Sequence, residues 1–151
     1  MNLKKGKYSI ITDKSKMDIK VIHAFLSRSY WAENIPIETV ERSIEGSLCF
    51  GVFYNDNQPS TPGQQVGFAR LVTDKATFAY LADVFIIEEH RGNGLSKWMM
   101  EAIMTYSELQ GLRRIILATR DAHGLYAQFG FTPLNNVDRW MQIHNPDIYK
   151  R

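Results

Sequence analysis

The chain has 151 residues, 44% of them hydrophobic, with a formal net charge of +2 and one cysteine. That length fits one compact domain and is short for two, and the near-neutral balance without blocks of like charge excludes the concentrated basic face of a nucleic-acid binder. The single Cys49 excludes an internal disulfide and a multi-cysteine metal site; no stretch approaches the roughly 18 apolar residues of a membrane span, so a cytoplasmic, metal-free protein is expected.

Residues 8–12 form a short strand candidate, and 13–18 supply turn and cap residues for a helix carrying Ile19, Ile22, His23, Phe25 and Leu26, whose end reaches Ser29-Tyr30-Trp31. Pro36 and Gly46 bracket a second helix over 37–44, with Ile37, Val40 and Ile44 on one side. Residues 48–54 and 65–73 read as a hairpin, and the polar stretch 55–63 as its long, mobile tip. Cys49 falls inside the first of these strands and reads as a buried thiol. Residues 77–87 are almost unbroken in apolar character, as a strand covered on both faces would be. From Leu95 the residues Trp98, Met99, Ala102, Ile103, Tyr106 and Leu109 recur at helical spacing, and Gly111 is placed to end the helix. Residues 115–118 predict a short buried strand, Asp121 a cap for a helix through Phe129, and 140–143 a last strand.

Hairpins followed by alternating strands and helices give an α/β class with a mixed sheet flanked by helices. The helix from Leu95 makes 77–87 and 115–118 parallel neighbours, and a ligand is expected beyond their carboxyl ends. The turn there, Arg91-Gly92-Asn93-Gly94-Leu95-Ser96, suits a phosphate: glycines let amides approach an anion, and the following helix adds unpaired N–H groups and the positive end of its dipole. It lacks the Gly-Lys-Ser/Thr ending of a P-loop. It also has Lys97 where a dinucleotide-binding turn has its third glycine.

This turn resembles the signature of the GNAT superfamily of N-acetyltransferases, Arg/Gln-x-x-Gly-x-Gly/Ala, with Ser96 in the last place. Leu125-Tyr126-Ala127-Gln128-Phe129-Gly130-Phe131 is similar to the family's Leu-Tyr-x-x-x-Gly-Phe segment, and with the order of elements the resemblance runs from Ile10 to Ile143. It implies a mostly antiparallel central sheet with one parallel pair at the cofactor groove, and acetyl-CoA as co-substrate. It also implies that backbone groups of Val84, Phe85 and Ile86 pair with the pantetheine arm. Arg91, Gly92, Asn93, Gly94, Leu95, Ser96 and Lys97 would hold the pyrophosphate, Tyr126 would be the proton donor, and an amide near Ile86 would bind the oxyanion. Where the family commonly has an asparagine the chain has Thr119, so Asp121 is the candidate for that cofactor contact.

Other roles follow from the residues themselves. Asp83 is the only charge between Thr77 and Glu88; on a buried strand it either faces a polar cavity as a general base or is a satisfied structural carboxylate. His123, one helical turn before Tyr126, is an alternative base or a packing residue. Tyr30, Trp31 and Glu33 are candidates for acceptor contact, and so is Arg70, through an acceptor carboxylate. The expected acceptor is a small-molecule or peptide amine, with no nucleic-acid or membrane partner; homodimerisation through a sheet edge or the hairpin is left open. The rival readings are a non-catalytic acyl-CoA sensor and an adaptor protein.

Overall fold

The computed structural model describes residues 1–56 and 63–150; most of the expected hairpin tip, 57–62, lies outside them. Six strands form one sheet in chain order: β1 (Asn2–Lys5), β2 (Tyr8–Ile11), β3 (Leu48–Tyr54), β4 (Gln64–Thr73), β5 (Phe78–Ile86) and β6 (Arg114–Ile116). Every pairing is antiparallel except β5 with β6. This is the mixed sheet that the element order predicts, and the 11 residues of α3 (Leu95–Thr105) provide the crossover between its parallel members.

Strand alternation sorts the core onto two faces. Phe50, Val52, Ala69, Leu71 and Leu81 pack with Met99, Met100 and Ile103 of α3. On the opposite face Cys49, Phe53, Phe68 and Phe85 pack with α1 (Ile19–Leu26) and α2 (Ile37–Glu45) through Ile22, Leu26, Val40 and Ile44. Asp18 caps α1, its carboxylate accepting from the Val21 amide at 3.2 Å. Cys49 is fully buried, and burial pushes its thiol up to about 11. No helix among the described residues is long and apolar enough to cross a membrane.

Five local expectations change. β1 is a further strand: all four of its residues are exposed, so it carries no apolar pattern to read. The first helix stops at Leu26, and 27–34 is a loop. α3 ends at Thr105 rather than near Gly111, because Tyr106 turns extended to set its ring edge-on to Phe50 at 5.3 Å. Gln110 Nε2 then donates to the carbonyls of Met104 and Tyr106, satisfying acceptors that the lost turn would have used. Asp121 does not cap α4 (His123–Ala127); the Ala122 amide is taken instead by Thr119 Oγ1 at 3.0 Å.

The fifth change is larger. Residues 115–117 are only half-buried, and 140–143 form no strand. Residues 140–143 belong to a stretch from Thr132 to Ile148 that is exposed throughout, with a short 3-10 turn at Val137–Arg139 and hydrogen-bonded turns from 146 on.

Candidate active site

Two departures from ladder geometry open a cleft in the middle of the sheet. The parallel pairing of β5 with β6 stops at Tyr80 opposite Ile116, so the rest of β5 loses its neighbour on that side. On its other side β5 bulges: Phe85 faces Phe68 and Ala82 faces Arg70, leaving Asp83 and Val84 opposite the single residue Ala69. Asp83 takes the left-handed conformation that this requires, φ 55°, which aspartate tolerates better than most residues. The Ile87 amide donates to Val66 O at 2.8 Å; by alternation along the ladder, the Ile86 N–H and C=O turn toward the cleft. Val84 is half-buried on the same stretch, while Phe85 and Ile86 are buried.

The cleft runs down to the glycine turn. Gly94, φ 70°, is the N-cap of α3 and provides no side-chain cap. The first helical hydrogen bond is Trp98 N–H to Gly94 O, so the amides of Leu95, Ser96 and Lys97 are left without helical acceptors. A Cβ added at Gly92 or Gly94 would meet nothing within 4 Å, so no neighbour crowds the turn at these two residues. Arg91 Nε donates to the Ile86 carbonyl at 2.9 Å and pins the turn to the end of β5. Asn93 Nδ2 closes the turn on His90 O, and His90 Nδ1 sits 2.9 Å from Tyr8 Oη. His90 is a positioning residue that sequence reasoning missed; its place immediately before Arg91 was the only hint.

At the other end, Trp31 Nε1 donates to Asp83 Oδ1 at 2.8 Å and Arg70 Nε to Asp83 Oδ2 at 2.5 Å. Arg70 Nη1 also reaches Ser47 Oγ at 3.2 Å. The structure therefore brings together three residues that sequence reasoning nominated separately, and both oxygens of Asp83 are engaged. Tyr30 Oη accepts from the Arg120 amide at 3.3 Å, and the Arg120 guanidinium lies 3.9 Å from the Tyr30 ring centre. Tyr30 and Trp31 meet edge to face at 5.0 Å. Their loop is thus tied to β5 through Trp31 and to the segment after β6 through Tyr30, so it roofs the gap between the splayed strands. Glu33 is exposed in the same loop. Phe25, not singled out from sequence, supports the roof by stacking on Phe85 at 4.0 Å.

Tyr126 lies on α4 and is buried in the same cluster as Leu81 and Ile86. Burial pushes its phenol above the ordinary value, and the nearby Tyr30 and Asp121 push in the same direction. Such a phenol stays protonated at neutral pH and is a proton donor, not a base. His123 and Asp121 are exposed at the start of α4. The arrangement can hold an extended chain along the free edge of β5, an anion at α3, and a polar group beneath the aromatic roof.

Comparison with known proteins agrees with this geometry. The family model described as Acetyltransferase (GNAT) family matches residues 19–131. A Gibberella zeae protein provisionally named an acetyltransferase is 33% identical over 143 residues, covering 84% of this chain and 80% of the relative. The crystal structure of a GNAT-family protein from Xanthomonas campestris pv. campestris, also named provisionally, is 49% identical with a TM-score of 0.88, covering 95% of this chain and 97% of its own. A predicted acetyltransferase from Clostridium acetobutylicum, solved with acetyl-CoA, shares the fold at 16% identity and a TM-score of 0.62, covering 91% and 94% of the two chains.

Proposed function

The chain belongs to the GNAT acetyltransferase family, and from that membership we propose that it transfers an acetyl group from acetyl-CoA directly to a primary amine, on a small molecule or a peptide. The observation that carries the reading is one continuous track. It starts at the free edge of β5 along Val84 and Ile86 and ends on the unpaired amides of Leu95, Ser96 and Lys97, with the buried Tyr126 packed in the same cluster as Ile86. A pantetheine arm fits the edge as an added strand would, and a pyrophosphate fits the helix N-terminus.

Acetyl-CoA supplies the thioester carbon that the amine attacks and the thiolate that departs. The Ile86 N–H, aimed into the cleft, binds the carbonyl oxygen as charge builds on it. Tyr126 gives its phenolic proton to the departing sulfur and is restored by the proton that the amine loses. Water at the rim, with His123 as relay, carries that proton from the amine to the Tyr126 oxygen. Asp83 is assigned a positioning role, because both its oxygens are committed to Trp31 and Arg70. It fixes the roof against which Tyr30, Trp31 and Glu33 receive the acceptor.

Free thiol release across a panel of amines, with Tyr126→Phe alongside, tests the reading. Turnover of the unaltered protein on at least one amine is expected, with a loss of about a hundredfold or more in the variant and unchanged acetyl-CoA affinity. Equal turnover in the variant refutes the role of Tyr126. Binding without turnover on any amine favours an acyl-CoA sensor.

A further inference from the structure

The sheet face that α1 and α2 cover is left bare along one strip, and the strip leads into the cleft. Asp83 and Arg70 meet through their side chains, and Arg70 lies opposite Cys49 of the α1–α2 core, so this pair marks a row on that face. Val72, two residues beyond Arg70, lies on the same face. Tyr80 is its partner across the antiparallel ladder, and Ile116 is opposite Tyr80 in the parallel one. The cover ends at the Arg70–Asp83 row: Ser47, just after α2, still reaches Arg70, whereas Val72 and Tyr80 are 43% and 38% exposed and Ile116 is half-buried.

Among the described residues of 4–133, the exposed large apolar side chains are Val72, Tyr80 and the roof pair Tyr30 and Trp31. Trp31 joins the strip through its bond to Asp83, and Tyr30 through its edge-to-face contact with Trp31. Two strands and a loop thus leave their apolar groups in water at one place, which marks a ligand surface. The gap between β5 and β6 opens immediately past the Tyr80–Ile116 pair. A molecule lying on Val72, Tyr80 and Ile116 therefore has one end at the mouth of the gap, on the face opposite α3.

The charges select the molecule. Arg70 has Nε on Asp83 and Nη1 on Ser47, and both Asp83 oxygens are engaged, so the central pair is spent on itself. The guanidiniums at the two borders lie against aromatic rings, Arg120 on Tyr30 and Arg114, opposite Phe78, on Trp140. An acceptor carboxylate or phosphate would lose water over an apolar floor whose central arginine is already committed, whereas a hydrocarbon or aromatic body gains by leaving water there.

We propose that, within the transfer reaction proposed above and resting on it, the acceptor is a primary amine on an uncharged aromatic or hydrocarbon body, an arylalkylamine or alkylamine. Val72, Tyr80, Ile116 and the Trp31 indole are its specificity surface. The body lies on the strip and the amine enters the gap past Tyr80. Contacts this far from the reacting carbon bind substrate and transition state alike, so they act on KM.

Free thiol release from acetyl-CoA tests this with phenethylamine, with methylamine, which lacks the body, and with phenylalanine, which adds a carboxylate to it. A kcat/KM for phenethylamine at least about tenfold above either is expected. Val72→Glu and Tyr80→Ser, each checked for folding by circular dichroism, are expected to collapse the preference for phenethylamine over methylamine by about tenfold, through KM; a merely structural loss lowers both amines alike and keeps the ratio. An NOE between the phenethylamine ring and the Val72 methyls in the unaltered, CoA-saturated protein is expected as well. Phenylalanine or methylamine used as well as phenethylamine, a ratio kept in both folded variants, or Val72 methyls in contact with residues 140–148 in place of the amine would each overturn this inference and leave the transfer reading standing. Thiol release with no amine at all removes both.

Discussion

Neutralising Asp83 separates a structural carboxylate from a catalytic base. Its side chain is 8% exposed and that of its partner Arg70 18%, with Nε to Oδ2 at 2.5 Å. Two unit charges about 4 Å apart attract by about 4 kcal/mol at an effective dielectric of about 20, and desolvation offsets part of that. A net coupling of about 2 kcal/mol is therefore expected for the pair. Asp83→Asn keeps the size, the tolerance of φ 55° and an acceptor for Trp31, and removes the charge together with the oxygen that accepts from Arg70 Nε; Arg70→Met removes the other partner. In urea, each single variant is expected to lose about 2 kcal/mol, a midpoint shift of about 1 M, and the double variant to lose about 2 kcal/mol less than the sum. Turnover of Asp83→Asn should stay within about tenfold, whereas removal of a general base costs about a hundredfold to ten-thousandfold. A coupling below about 0.5 kcal/mol, or a turnover loss of the larger size with stability intact, would refute the assignment and return Asp83 to the role of base.

Gly94→Ala places a Cβ at φ 70° without touching any neighbour, so a stability loss of about 1 kcal/mol with weaker acetyl-CoA binding is expected by calorimetry. Gly67→Ala brings a Cβ to 2.5 Å from Ile86 Cδ1 and 3.1 Å from Phe85 O across the ladder; a loss of about 1–3 kcal/mol is expected in urea, with the larger functional effect on turnover because Ile86 carries the cleft amide. Asp74 accepts from Thr77 Oγ1 and the amides of Ala76, Thr77 and Phe78 in the β4–β5 turn, which holds its carboxyl far below the usual carboxylate range. Its folded pKa is depressed, so its contribution is present above the unfolded value of about 4 and is lost as pH falls below it. Asp74→Asn should flatten the acid limb of a stability–pH curve relative to the parent. The raised phenol of Tyr126 predicts that Tyr126 adds no basic limb to the turnover profile below pH about 10.

Elements whose signal is local were legible in the residues. The α3 stripe, the glycine turn and the apolar run of β5 each state their own structure, and the turn and the Leu125–Phe131 motif together led to the family. What was not legible depends on partners far along the chain. Nothing around Asp83 announces a left-handed residue or its capture by Trp31 and Arg70, 52 and 13 positions away. β1 has no apolar face, so only its ladder with β2 defines it. The stop of α3 at Thr105 reflects the pull of Phe50 on Tyr106, and helical periodicity alone ran on to Gly111. Residues 140–143 read as a strand because strand composition is local, whereas a strand exists only when paired.

The central claim is that the open edge of β5 and the N-terminus of α3 together hold acetyl-CoA. Amide hydrogen exchange of the full chain with and without acetyl-CoA tests it residue by residue. Protection is expected at Val84, Ile86, Leu95, Ser96 and Lys97, with little change in β1 or β2. Saturating acetyl-CoA that leaves those five amides unprotected, or protects a different face of the sheet, would contradict it.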